Sequence, residues 1–74
     1  MTLNELPTGH QARFRQHQLP LELARRLAAF GLRPNSLIEV INRGWLGGPL
    51  QLRIGSTEFM LRREHCSHIE VQPE

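Results

Sequence analysis

His65, Cys66, Ser67 and His68 stand in a row between Glu64 and Glu70, and they concentrate the soft and borderline metal ligands of the chain in four residues. Imidazole and thiolate in that spacing suit a transition metal such as zinc or ferrous iron. Structural zinc sites, however, draw on two separated ligand pairs, and no second cysteine or paired histidine exists elsewhere to complete a tetrahedron. His65, Cys66 and His68 are therefore a metal-ligand set for a surface ion or one shared across a dimer. The competing reading makes Cys66 a small apolar side chain packed under the fold. On neither reading is a cofactor required.

Nothing else assembles a reaction centre. No serine lies in a nucleophile elbow, and no carboxylate pair lies beside a candidate base, so hydrolysis and acid–base chemistry have no machinery. The stretch Gly44-Trp45-Leu46-Gly47-Gly48-Pro49 is glycine-rich but lacks the Lys-Ser/Thr pair and the following helix of a phosphate-binding loop. It reads instead as a recognition loop. Trp45 and Leu46 are either a lid over the core or an exposed anchor for a partner. Arg43 and Trp45 combine the side-chain types most enriched at interface hot spots, so Arg43, Trp45, Leu46, Gly48 and Pro49 form the candidate partner-binding set, with Arg62 as a second contact.

These residues need elements to position them. After the turn signal Leu6-Pro7-Thr8-Gly9, Ala12 and Phe14 alternate with polar neighbours, which predicts a strand over 10–17. Leu23, Leu27 and Phe30 share one face of a helix predicted over 20–30, opened by Pro20 and stopped by Gly31, with Leu32 packing back onto Leu27. Pro34-Asn35 predicts a type II turn. Alternation then marks strands through Ile38 and Val40, through Leu50, Leu52 and Ile54, and through Phe59 and Leu61. Gly55-Ser56 predicts a tight hairpin, and a short turn at 63–66 leads to a last strand with Ile69 and Val71. Five antiparallel strands with one helix after the first must curl to bury their single apolar face, which predicts a mostly β, small SH3-like barrel as one domain over 1–74. Its expected core is Phe14, Leu23, Leu27, Phe30, Ile38, Val40, Leu52, Phe59, Leu61, Ile69 and Val71.

Composition narrows the partners. All nine cations are arginine and all seven anions glutamate, for a net charge of +2, and the arginines are scattered along the chain. With no tyrosine and one tryptophan, the chain lacks the stacking aromatics of a polyproline groove or a nucleic-acid surface. The single cysteine rules out an internal disulfide and predicts a reducing compartment, and the acidic, apolar-poor start predicts neither a leader nor a membrane span there. A cytoplasmic binding module is the expectation.

Leu6-Pro7-Thr8-Gly9, then Leu23, Arg26-Leu27, Phe30-Gly31-Leu32, Pro34 and Ser36, then Gly48-Pro49-Leu50, Leu61-Arg62, Ile69 and Val71, occur in one order and spacing. In these residues the chain resembles the ferrous iron transport protein A, or FeoA, family, with Asn35 standing where the family usually has glycine. The resemblance implies an SH3-like barrel in the bacterial cytoplasm, peripheral to the inner membrane, which assists a membrane ferrous iron permease bearing a cytosolic GTPase domain. It implies no enzymatic step. Similar domains form the C-terminal part of iron- and manganese-dependent repressors, so the alternative is a metal-linked regulatory domain acting with a repressor or nucleic acid.

Overall fold

A computed structural model describes residues 1–74. Seven elements follow one another: β1 (Gln11–His17), α1 (Leu21–Ala29), β2 (Leu37–Arg43), β3 (Leu50–Ile54), β4 (Thr57–Leu61), α2 (Arg63–Cys66) and β5 (Ile69–Pro73). Single 3-10 turns at Leu3–Glu5 and Trp45–Gly47 complete the chain. The strands form one antiparallel sheet in the order β4-β3-β2-β1-β5, the small SH3-like fold expected. Register shifts between Phe14 and Gln16 and between Val40 and Asn42 place an irregularity in each of two central strands, and such bulges bend and twist a sheet so that it can curl. No helix is long and apolar enough to cross a membrane.

Period-two alternation puts Ala12 and Phe14, Ile38 and Val40, Leu50, Leu52 and Ile54, Leu61, and Ile69 and Val71 on the buried face. The helix contributes one fully buried residue, Leu27, because a surface helix of nine residues touches the sheet along a narrow stripe. Leu23 and Phe30 flank it half-buried, and Phe30 meets Phe59 with ring centroids 5.0 Å apart. The expected core is thus corrected at Leu23, Phe30 and Phe59, which pack against its margin because α1 lies over the edge strand β4 instead of sinking between strands. The predicted turn at 63–66 is helical, with Cys66 facing inward.

Leu3 and Leu6, absent from the expected core, are buried and close one end of the sheet. They sit around a single turn in which the Thr2 N–H donates to Glu5 Oε1 at 2.8 Å and the Glu5 N–H to the Thr2 carbonyl at 3.0 Å. The second bond closes the 3-10 turn, and the first is the Glu5 half of the capping box that Thr-x-x-Glu encodes, a signal present in the sequence. The Thr2 N–H, and after it the Thr2 hydroxyl at 3.0 Å, both donate to the Glu5 carboxylate and hold it below its ordinary pKa.

The helix ends as its residues dictate. The Leu32 N–H reaches the Leu27 carbonyl at 2.9 Å and the Gly31 N–H the Ala28 carbonyl at 3.0 Å, the paired bonds of a Schellman cap. Gly31 has φ 110°, and a Cβ there would lie 3.1 Å from Ile54 Cγ2. Arg33 to Ser36 then turn with Asn35 at φ 73°, closed by the Ser36 N–H on the Arg33 carbonyl at 2.9 Å. The Ser36 hydroxyl donates to the Gly31 carbonyl at 2.8 Å, tying cap and turn together.

Truncating Leu27 to alanine should cost about 2–5 kcal/mol in denaturant unfolding. Gly31→Ala should destabilise as well, through both the positive φ and the Ile54 contact, whereas Ala28→Gly should cost only about 1 kcal/mol. Equal effects of the two glycine exchanges would show that the cap does not hold the helix end.

Candidate functional site

Between β2 and β3 the chain makes a hairpin loop whose geometry is fixed by its own main chain. The Gly44 N–H donates to the Pro49 carbonyl at 2.8 Å, and the Gly48 N–H to the Trp45 carbonyl at 3.1 Å. The two arms approach so closely that a Cβ on Gly44 would fall 2.6 Å from the Pro49 carbonyl oxygen. From α2, Arg63 reaches under the loop, its Nε and Nη2 each 3.4 Å from the carbonyl oxygens of Gly48 and Gly44. Leu46 takes a positive φ of 53° at the turn's apex.

The consequence is a tip of two large apolar side chains lifted off the domain, Trp45 86% and Leu46 84% exposed. Trp45 and Leu46 are therefore not a lid, because neither folds over the core. Gly48 and Pro49 form the return arm of the loop. Arg62 is exposed beside α2, where its carbonyl accepts the N–H groups of His65 and Cys66 at 2.9 and 3.1 Å. Arg43 lies elsewhere. Its Nη2 donates to the carbonyls of Asn4 at 2.8 Å and Leu6 at 2.5 Å, so the guanidinium grips the N-terminal turn instead of facing solvent with Trp45.

The ligand row behaves differently from its spelling. Cys66 is buried, its S–H directed at the Leu61 carbonyl 3.8 Å away, while His68 is exposed and His65 half-buried. A one-turn helix thus points neighbouring residues in different directions, and nowhere do three His, Cys, Asp or Glu side chains converge as a metal would need. The chain's own residues do not fit a mononuclear centre built on Cys66. Loss of hydration pushes the Cys66 thiol up to about 11, against the opposing fields of Arg43 and Arg63. His17, at the end of β1, is exposed, stacks on Phe14 at 5.9 Å and accepts the Leu19 N–H at 3.2 Å through Nδ1.

Surface charges pair across neighbouring strands. Arg53 on β3 bridges Glu39 at 3.1 Å and Glu58 at 3.5 Å across the sheet, and Arg13 meets Glu74 at 3.2 Å. The Arg53 hydrogen bond holds the Glu39 carboxyl below its ordinary range. No buried side-chain nitrogen or oxygen lacks a partner, so no orphaned polar group marks a hidden site.

The family model for the FeoA domain matches residues 1–73. Among solved structures, iron(II) transport protein A of Clostridium thermocellum is 32% identical with a TM-score of 0.88, over 99% of this chain and 45% of that protein. The present chain therefore spans less than half the length of that relative. FeoA of Stenotrophomonas maltophilia, solved with zinc and described as a prokaryotic SH3 domain protein, is 32% identical with a TM-score of 0.81, over 97% of this chain and 89% of that one. A manganese-dependent transcriptional repressor shares the fold alone, at 19% identity and a TM-score of 0.85, over 100% of this chain and 41% of that one. Curated protein sequences give no match.

Two outcomes follow from the placement of Cys66. A thiol reagent should label it only as fast as the chain unfolds, and the stability its burial provides should be constant below pH 9.0 and fall as pH rises toward about 11, where the unfolded thiol ionises and the folded one does not. Rapid labelling under native conditions would show the site to be open. Zinc titration should give binding weaker than about 1 µM that survives Cys66→Ala and is lost when His65 and His68 are both replaced by alanine.

Proposed function

Because the chain belongs to the FeoA domain family, whose members are small SH3-like proteins of ferrous iron transport, we propose that it is a non-enzymatic accessory module that binds the membrane ferrous iron permease on its cytosolic, GTPase-bearing side. The observation that carries this proposal is the braced tip of Trp45 and Leu46. A soluble chain gains nothing from holding a tryptophan and a leucine in water, and tryptophan is the residue most enriched where partners bury an anchor. Gly48 and Pro49 supply the flat return arm against which a partner closes. Arg62 supplies a rim charge that speeds encounter with an acidic surface and is weakened by salt.

In this proposal the module works in the cytoplasm and is peripheral to the inner membrane through the permease. Arg43 serves by keeping β2 and the N-terminal turn together, and it leaves the tip to Trp45. Iron is the transporter's cargo, and the module needs no bound metal to act.

The test is an affinity measurement between this chain and the GTPase domain of its cognate permease. Replacing Trp45 by alanine and Leu46 by serine should weaken binding by about 2 kcal/mol or more, with unfolding free energy changed by less than about 0.5 kcal/mol. Arg62→Glu should lower the association rate, most at low salt. Arg43→Ala should behave oppositely to the tip variants, lowering stability first. Undiminished affinity in the Trp45/Leu46 variant would place the permease contact elsewhere.

A further inference from the structure

The sheet has two edges, and they are finished differently. At β5 the Val71 N–H donates to the Met1 carbonyl at 2.9 Å, and Thr2 bridges Glu70 antiparallel, so the N-terminal residues cover that edge. At β4 nothing follows in the sheet order. Ile54 and Thr57 flank the two-residue turn, so Thr57, Phe59 and Leu61 bond inward to β3 while the N–H and C=O groups of Glu58 and Met60 face outward. Neither residue takes part in any of the main-chain hydrogen bonds outside the sheet. An unpaired edge is a template for another strand, and proteins ordinarily blunt it.

Alongside this edge runs a groove of about 290 Å³ between β4, α1 and the start of α2. Leu23 and Phe30 of the helix and Phe59 and Met60 of the strand give it an apolar floor, and its polar members are Arg26, Arg62 and His65. No carboxylate lines it. The three ion pairs of the chain engage Arg13 and Arg53, and both Arg26 and Arg62 remain uncommitted. The Glu58 carboxylate, the nearest acid on β4, is occupied by Arg53 and Gln51.

The geometry points to a peptide site: the free β4 edge and the groove beside it take an extended acidic segment of another protein, added as a sixth strand. Its backbone pairs with Glu58 and Met60, every second apolar side chain enters the groove over Phe30 and Phe59, and its carboxylates meet Arg26 and Arg62. Main-chain bonds supply affinity, and the groove and rim supply choice of sequence, as in strand addition generally. The site shares Arg62 with the surface proposed for the permease but lies apart from the Trp45 tip, and it stands whether or not that tip binds the permease.

The probe is a blocked octapeptide of alternating glutamate and leucine, titrated into labelled protein with amide shifts as the readout. Shifts should centre on Glu58, Met60 and Leu23, and a lysine–leucine peptide of equal length should not produce them. Met60→Pro removes an outward N–H without touching the β3 ladder, a position where an edge strand tolerates proline, and should weaken binding about tenfold or more. Should that variant fold poorly, a peptide with alternate amides N-methylated gives the same comparison on the native chain. Arg26→Glu with Arg62→Glu should weaken binding at least about fivefold, and Trp45→Ala should leave it unchanged. Undiminished binding to the proline variant or of the methylated peptide, or equal binding of the lysine peptide, overturns the proposal. So does sedimentation showing that β4 is already taken up in a dimer of this chain, which would make a second copy the occupant.

Discussion

A curled sheet has one apolar inner face, and within these 74 residues an N-terminal turn, one helix and a few long side chains cover it. That constraint governs the molecule. Leu27 plugs the face from the helix side, while Leu3 and Leu6 seal it from the N-terminal turn. The turn stays in place because Arg43 holds two of its carbonyls, and the α1 end stays in place because the Gly31 and Leu32 N–H groups satisfy the last carbonyls of the helix while Ser36 ties Gly31 to the following turn. Remove either clamp and the same strands would have an open end.

Both clamps on the loop side are arginines, and their chemistry explains why. A guanidinium carries several N–H groups in one plane and can reach two main-chain carbonyls at once, as Arg43 does at Asn4 and Leu6 and Arg63 does at Gly44 and Gly48. An ammonium would act as a point charge. In a chain with arginine as its only strong cation, part of the positive charge is structural and does not advertise a polyanionic partner.

What was legible in the sequence is what depends on local periodicity and backbone preference. The strands through Ile38, Leu52 and Ile69, the glycine stop at Gly31 and the turn at Asn35 follow from alternation and allowed φ. The barrel reading and the family resemblance follow from these. The depth of Leu23, Phe30 and Phe59 depends on how far α1 overhangs β4, and no periodicity carries that distance. Arg43 neighbours Trp45 in sequence, but β2 ends at Arg43 and Trp45 lies in the 3-10 turn beyond it, so no strand period relates the two, and the carbonyl that Arg43 holds lies about forty residues away in sequence. His65, Cys66 and His68 are adjacent in sequence but diverge on a single helical turn, which separates ligand composition from ligand geometry. Leu3 and Leu6 were within reach, through the Thr2-x-x-Glu5 signature.

The covering of β5 by the first two residues also sets what kind of assembly this domain can join. With both edges bare, β4 of one molecule could accept β5 of the next, a heterologous contact that repeats without closing and grows into a fibre. With β5 occupied, that propagation has no second face to use. Edge pairing can then involve β4 alone, either with one foreign strand or with its own copy about a twofold axis, and each of these terminates after a single event. The short Met1–Thr2 segment therefore converts an open-ended polymerisation hazard into a valence of one.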